Sequence, residues 1–105
     1  MPQFTVHRNP NPDSQAAYPL LLDVQSDLMA ELGTRVVVPL CSATAMKGRL
    51  MTTLTPVFEI EGKQYAMHTP QLAGISIKQL GAKVIDLAPH RDEIIAALDL
   101  LITGI

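Results

Sequence analysis

Apolar and polar residues alternate through much of this chain, a rhythm that predicts strands rather than helices. Phe4-Thr5-Val6-His7 is the first such run. The Asn9-Pro10-Asn11-Pro12-Asp13-Ser14 segment after it is turn-forming and hostile to helix, so an exposed, mobile loop is expected there. From Tyr18 onward Leu20, Leu22, Val24, Ser26 and Leu28 point one way, and Leu21, Asp23, Gln25 and Asp27 point the other. That pattern predicts a long strand with one buried and one solvated or hydrogen-bonded face. Gly33 closes the connection to Thr34-Arg35-Val36-Val37-Val38, a β-branched strand. Pro39 has no N–H for a ladder, so this strand is expected to end, bulge or lie at an edge there.

Residues 41–55 carry no clear period; Ser42 to Met51 fits a short helix or a loop. Val57-Phe58-Glu59-Ile60 and Gln64-Tyr65-Ala66-Met67 flank Glu61-Gly62-Lys63, the signature of a hairpin. Ile75-Ser76-Ile77 predicts another strand, and Lys83-Val84-Ile85 is ambiguous. The final segment predicts a helix. Pro89 suits its first turn, Asp92 and Glu93 favour the positive end of the dipole, and Ile94, Ile95, Leu98, Leu101, Ile102 and Ile105 follow one face. Strands followed by one closing helix predict a mainly β, α+β or small-barrel fold, in a single domain over residues 1–105.

Composition narrows the function classes. Of the 105 residues 48% are hydrophobic and 17% charged, which suits a globular chain. The longest apolar stretch, Ile94 to Ile105, contains Asp99 and falls short of the ~20 residues a membrane span needs. No secretory signal is visible at the N-terminus, and the single cysteine, Cys41, fits a reducing compartment; a cytoplasmic protein is expected. Net charge is −2 and the eight Lys and Arg are scattered singly, which argues against autonomous DNA binding.

Candidate chemistry is sparse. His7, His68 and His90 lack the close spacing of zinc ligands, and Cys41 has no second cysteine, so neither metal nor cofactor is expected. Asp23 and Asp27 share a strand face, either as acid/base carboxylates or as hydrogen-bonded surface. Ser26, Cys41, His68 and Asp86 permit a nucleophile–base arrangement only in the sense that most chains do. No phosphate loop, dinucleotide fingerprint or nucleophile elbow occurs, and a non-enzymatic protein is expected. Leu100, Leu101, Ile102 and Ile105 crowd the final turn, where helices usually fray into water. This points to an oligomer contact or a partner-binding surface.

Leu22-Asp23-Val24-Gln25-Ser26-Asp27-Leu28, Arg35-Val36-Val37-Val38-Pro39-Leu40, Asp86-Leu87 and the closing Ile102-Thr103-Gly104-Ile105 together resemble the CcdB family, in the same order and, with a short insertion near Asn9 to Gln15, with matching spacing over essentially the whole chain. These are toxins of toxin–antitoxin pairs that poison DNA gyrase. The resemblance implies a homodimer with an SH3-like β-barrel or antiparallel sheet core, a small accessory sheet and one C-terminal helix. It implies that Asp99, Ile102, Thr103, Gly104 and Ile105 bind the gyrase A subunit, with Leu28 and Met29 in a possible second partner-binding loop. It further implies a CcdA-like antitoxin whose disordered tail folds across the toxin, and access to operator DNA only through that antitoxin or through gyrase. The best-known members carry Trp where this chain has Thr103. The lost ring stacking on a cation is worth about 0.5–2 kcal/mol. Two alternatives accompany this reading. One is a relative that keeps the antitoxin but poisons gyrase weakly or not at all. The other is a MazF-type endoribonuclease, for which Arg35 with Thr34 or Arg49 with Thr52 would be the candidates.

Overall fold

A computed structural model describes residues 3–29, 31–46 and 52–104 of the chain. Its strands are β1 (Thr5–Arg8), β2 (Leu20–Asp23), β3 (Thr34–Ser42), β4 (Val57–Ile60), β5 (Lys63–Met67), β6 (Ala73–Ser76) and β7 (Lys83–Asp86), followed by the helix α1 (Arg91–Thr103). All seven strands belong to one curled antiparallel sheet of order β4-β5-β3-β2-β1-β7, with β6 also paired to β3. The fold is mainly β with one C-terminal helix.

β3 is the spine. One edge pairs with β2 from Asp23↔Val37 to Leu20↔Leu40. The other is shared: Thr34–Val37 faces β6, and Leu40–Ser42 faces β5. Pro39 does not end the strand, contrary to expectation. Its carbonyl accepts the His68 N–H at 3.0 Å, and since a residue's N and C=O face the same neighbour, its nitrogen points into the gap between β6 and β5. No ladder bond is lost there.

The strand expected from Leu20 to Leu28 stops at Asp23. Oδ1 of Asp23 accepts the Gln25 N–H at 3.0 Å, a local turn that draws the backbone away from β3. Asp27–Met29 then forms a single 3-10 turn. Nor is one face of β2 solvated: Leu21 and Asp23 are buried along with Leu20 and Leu22. The curled sheet covers both.

Val6, Leu20, Leu22, Val38 and Leu40 from one sheet face meet Phe58, Ile60 and Met67 of the β4–β5 hairpin and Ile94 and Ala97 of α1. Each large side chain so enclosed contributes roughly 1.5–3 kcal/mol relative to exposure. The hairpin turn places Glu61 at φ 54° and Gly62 at φ 78°, two left-handed residues that match the twist of the flanking strands. The Asn9–Ser14 loop is folded about its first residue rather than exposed throughout. Buried Asn9 donates from Nδ2 to Ser14 Oγ and the Tyr18 carbonyl and accepts the Asn11 N–H.

Ile75 lies in β6, but Ile77 begins a 3-10 turn capped by Ser76, and the ambiguous Lys83–Ile85 segment is strand β7. α1 is preceded by a 3-10 turn over Ala88–His90 that contains Pro89, so the regular helix starts two residues after that proline. Only Ile94 and Ala97 of α1 are fully buried. Ile95, Leu98 and Leu101 are partly covered, whereas Ile102, expected on the same stripe, faces away. The expected stripe omitted Ala97, which is fully buried in the core beside Ile94.

Candidate functional site

The end of α1 combines exposed apolar surface with uncompensated negative charge. Its first turn carries Asp92 and Glu93, and its last turn carries no basic residue. Four carbonyls at a helix end lack intrahelical donors, and the summed peptide dipoles leave that end negative. Asp99, exposed one turn from the end, adds to that charge. Ile102 is 75% exposed beside it. Gly104 adopts φ 73° and donates its N–H to the Leu100 carbonyl at 2.9 Å, closing the helix in a left-handed cap that glycine takes without Cβ strain. The Thr103 hydroxyl is turned inward on its own helix, donating to the Asp99 carbonyl at 2.6 Å. Asp99, Ile102, Thr103 and Gly104 thus share one exposed helix end; Ile105 lies outside the described residues.

Leu28 and Met29 stand elsewhere. Both lie on the 3-10 turn after β2, Leu28 92% and Met29 52% exposed. Leu32, absent from the sequence expectation, is 53% exposed on the same connection and enlarges the apolar patch. Its signal was available, since Leu32 continues the Leu28-Met29 apolar run of the connection that Gly33 closes. Among the described residues no hydrogen bond or ion pair joins this turn to α1.

Beneath the turn lies a buried polar network. Arg35 Nε donates to Asp23 Oδ2 at 2.8 Å with both side chains fully enclosed, and Arg35 NH2 reaches the Gln25 carbonyl at 3.3 Å. Asp23 is therefore the counter-ion of Arg35, which leaves it no role in an acid/base pair with Asp27. Asp27, exposed, accepts the Gln3 N–H and lies 4.0 Å from the guanidinium. The burial of Arg35 also withdraws the Thr34–Arg35 pair considered for RNA cleavage, because a guanidinium with no exposed surface cannot reach a phosphate; Arg49 of the other pair lies outside the described residues.

Of the nucleophile candidates, Ser26 and Asp86 are engaged by local backbone bonds, whereas Cys41 and His68 are brought to one cavity. Ser26 Oγ accepts the Leu28 N–H, and Asp86 Oδ1 accepts the Ala88 N–H. Cys41 and His68 line one cavity of about 240 Å³ with Tyr18 and Met46, and the Tyr18 hydroxyl meets His68 Nδ1 at 2.9 Å. His7 is buried in β1 with Nδ1 donating to the Gly81 carbonyl, and His90 sits beside Glu93 at the start of α1. Among the described residues no group of three His, Cys, Asp or Glu side chains is placed to hold a metal ion, and no helix is long and apolar enough to cross a membrane.

The exposed features are thus apolar side chains and a negative helix end, carried on a curled sheet. A family model described as CcdB protein matches residues 3–104, nearly the whole length. The chain belongs to the CcdB family, the toxin components of toxin–antitoxin systems.

Proposed function

We propose that this protein binds the DNA gyrase A subunit through the end of α1 and traps gyrase on cleaved DNA, blocking replication and transcription. The observation that carries this reading is Ile102, 75% exposed on a helix end whose last turn has no cation. An apolar knob beside uncompensated negative charge suits a socket that offers an apolar wall and a basic side chain. Membership of a family whose general role is gyrase poisoning supports that choice of target. The harm is done by occupancy, so no bond in the substrate need be broken by this chain. Acting as a homodimer in the cytoplasm, the protein presents two such helix ends. Its antitoxin is CcdA-like, and with a net charge of −2 the toxin reaches DNA only through that antitoxin or through gyrase.

The test is a DNA-cleavage assay with purified gyrase and ATP. Gyrase-dependent cleaved complexes are expected to accumulate with the intact protein and to vanish when Thr103–Ile105 is deleted, with the fold retained by circular dichroism. A truncated protein that arrests growth as strongly as the intact one sinks the site, and undisturbed supercoiling at saturating protein sinks the target. One observation favours a second reading, a relative that retains its antitoxin and poisons gyrase weakly. With its hydroxyl proton committed to the Asp99 carbonyl, Thr103 offers a partner only its methyl group and oxygen lone pairs. Antitoxin binding without cleaved complexes would select that reading.

A further inference from the structure

We propose that Gln25 is a positioning residue that holds the exposed Leu28 and Met29 of the turn after β2 in their presenting conformation, through a side-chain amide that takes the place of a missing strand. The proposal deepens the functional reading and rests on it, since it treats this turn as a second partner-contacting surface beside the end of α1.

The geometry starts at the point where β2 leaves β3. The last main-chain bond between them runs from the Val24 N–H to the Val36 carbonyl at 3.0 Å. The Val36 N–H faces the same way and, with β2 gone, has no main-chain acceptor on that edge. Gln25 supplies one: its Oε1 accepts the Val36 N–H at 3.1 Å. The other end of the same amide, Nε2, donates to the Met29 carbonyl at 2.8 Å. A carboxamide has the donor and acceptor of a peptide group in nearly the same plane, so the side chain continues the ladder while the main chain swings out to expose Leu28 and Met29.

The backbone of Gln25 is held as well. Its N–H is bound by Asp23 Oδ1 and its carbonyl by the Arg35 guanidinium. The side chain is nearly buried, 8% of the residue remaining exposed, so its two bonds are made away from competing water and are costly to leave unmade. The buried Arg35–Asp23 pair anchors Gln25 from below, and Gln25 anchors the turn above. The 3-10 turn, with two exposed apolar side chains, buries no residue of its own to fix it. The amide clamp does so, and the turn need not be ordered at the moment of binding.

Affinity for the isolated gyrase A subunit tests this. Gln25→Met, of similar length and without either hydrogen-bonding group, is expected to weaken binding about tenfold, the equivalent of losing one or two buried hydrogen bonds. In a protein that already carries Leu28→Ser and Met29→Ser, the same substitution is expected to cost less than about twofold, because there is no longer an apolar surface to place. Full additivity would overturn the positioning role while leaving the turn as a contact surface. Binding undiminished by the serine pair would remove the turn from the interface and the positioning role with it. Should Gln25→Met fail to fold, proton exchange in the unaltered protein decides: the Gln25 side-chain NH2 is expected to exchange at least about tenfold more slowly than those of exposed Gln64 and Gln71. Equal rates overturn the clamp. An unaltered protein that does not bind gyrase A refutes the functional reading, and the exchange measurement still judges the clamp by itself.

Discussion

Arg35 and Asp23 face each other across the end of the β2–β3 pairing, Nε to Oδ2 at 2.8 Å, with no part of either side chain exposed. A pair in this position ties fold to presentation, since the residues it touches lead straight into the apolar turn.

Breaking the pair from one side leaves an uncompensated buried charge. Asp23→Ala is expected to cost about 3–5 kcal/mol in urea unfolding at fixed protein concentration. Replacing both partners together, Asp23→Leu with Arg35→Met, is expected to recover most of that loss. A single substitution costing under about 1 kcal/mol would mean that water reaches the site.

The two isoleucines of α1 separate stability from function. Ile94 is fully buried and Ile102 is 75% exposed. Ile94→Ala is expected to destabilise by about 2–5 kcal/mol. Ile102→Ser is expected to move stability by no more than about 0.5 kcal/mol yet to lower gyrase A affinity and growth arrest. If Ile102→Ser unfolds the protein instead, its side chain belongs to the core and the exposed-knob description fails.

Gly81 is required for a different reason than a turn. A Cβ there would lie 2.6 Å from the Arg8 carbonyl oxygen, where β7 approaches β1. Gly81→Ala is expected to cost about 1–3 kcal/mol through forced backbone displacement. Gly33→Ala, with nothing within 4 Å of its added methyl, serves as the control and should stay within about 0.5 kcal/mol of the parent. Equal thermal midpoints for the two variants would contradict the close approach.

Charge at the helix end gives opposite signs for stability and binding. Asp99→Lys puts a cation where the dipole is negative and is expected to stabilise α1 by about 0.3–1 kcal/mol, less at high salt. The same change is expected to weaken gyrase A binding, because a basic group in the socket would then meet a like charge. Tighter binding by the lysine variant would show that the socket is not basic.

Much of the architecture was legible before any coordinates. The Glu61-Gly62 turn between two apolar runs announced its hairpin, since few backbones other than glycine's enter the left-handed region readily. Asp92 and Glu93 marked the start of the closing helix by the charge that end demands. The persistence of apolar residues to the helix end was legible, but the exposure of Ile102, expected on the core stripe, was not. Pro39 misled, because whether a missing N–H matters depends on which neighbour that edge faces, and two strands share it with a gap between them.

What the sequence determined alone was local: the strand and helix periods, the turn glycines, the family pattern and the apolar tail. Tertiary structure decided what each face meets. Asp23 and Gln25 read as the outer face of a long strand, and they became a counter-ion and a clamp because the curled sheet brought Arg35 against them. Ile102 fell off the core stripe because the buried face of the helix is centred on Ile94 and Ala97. Alternation records which side chains share a side; only the folded chain determines whether water, a charge or another strand waits there.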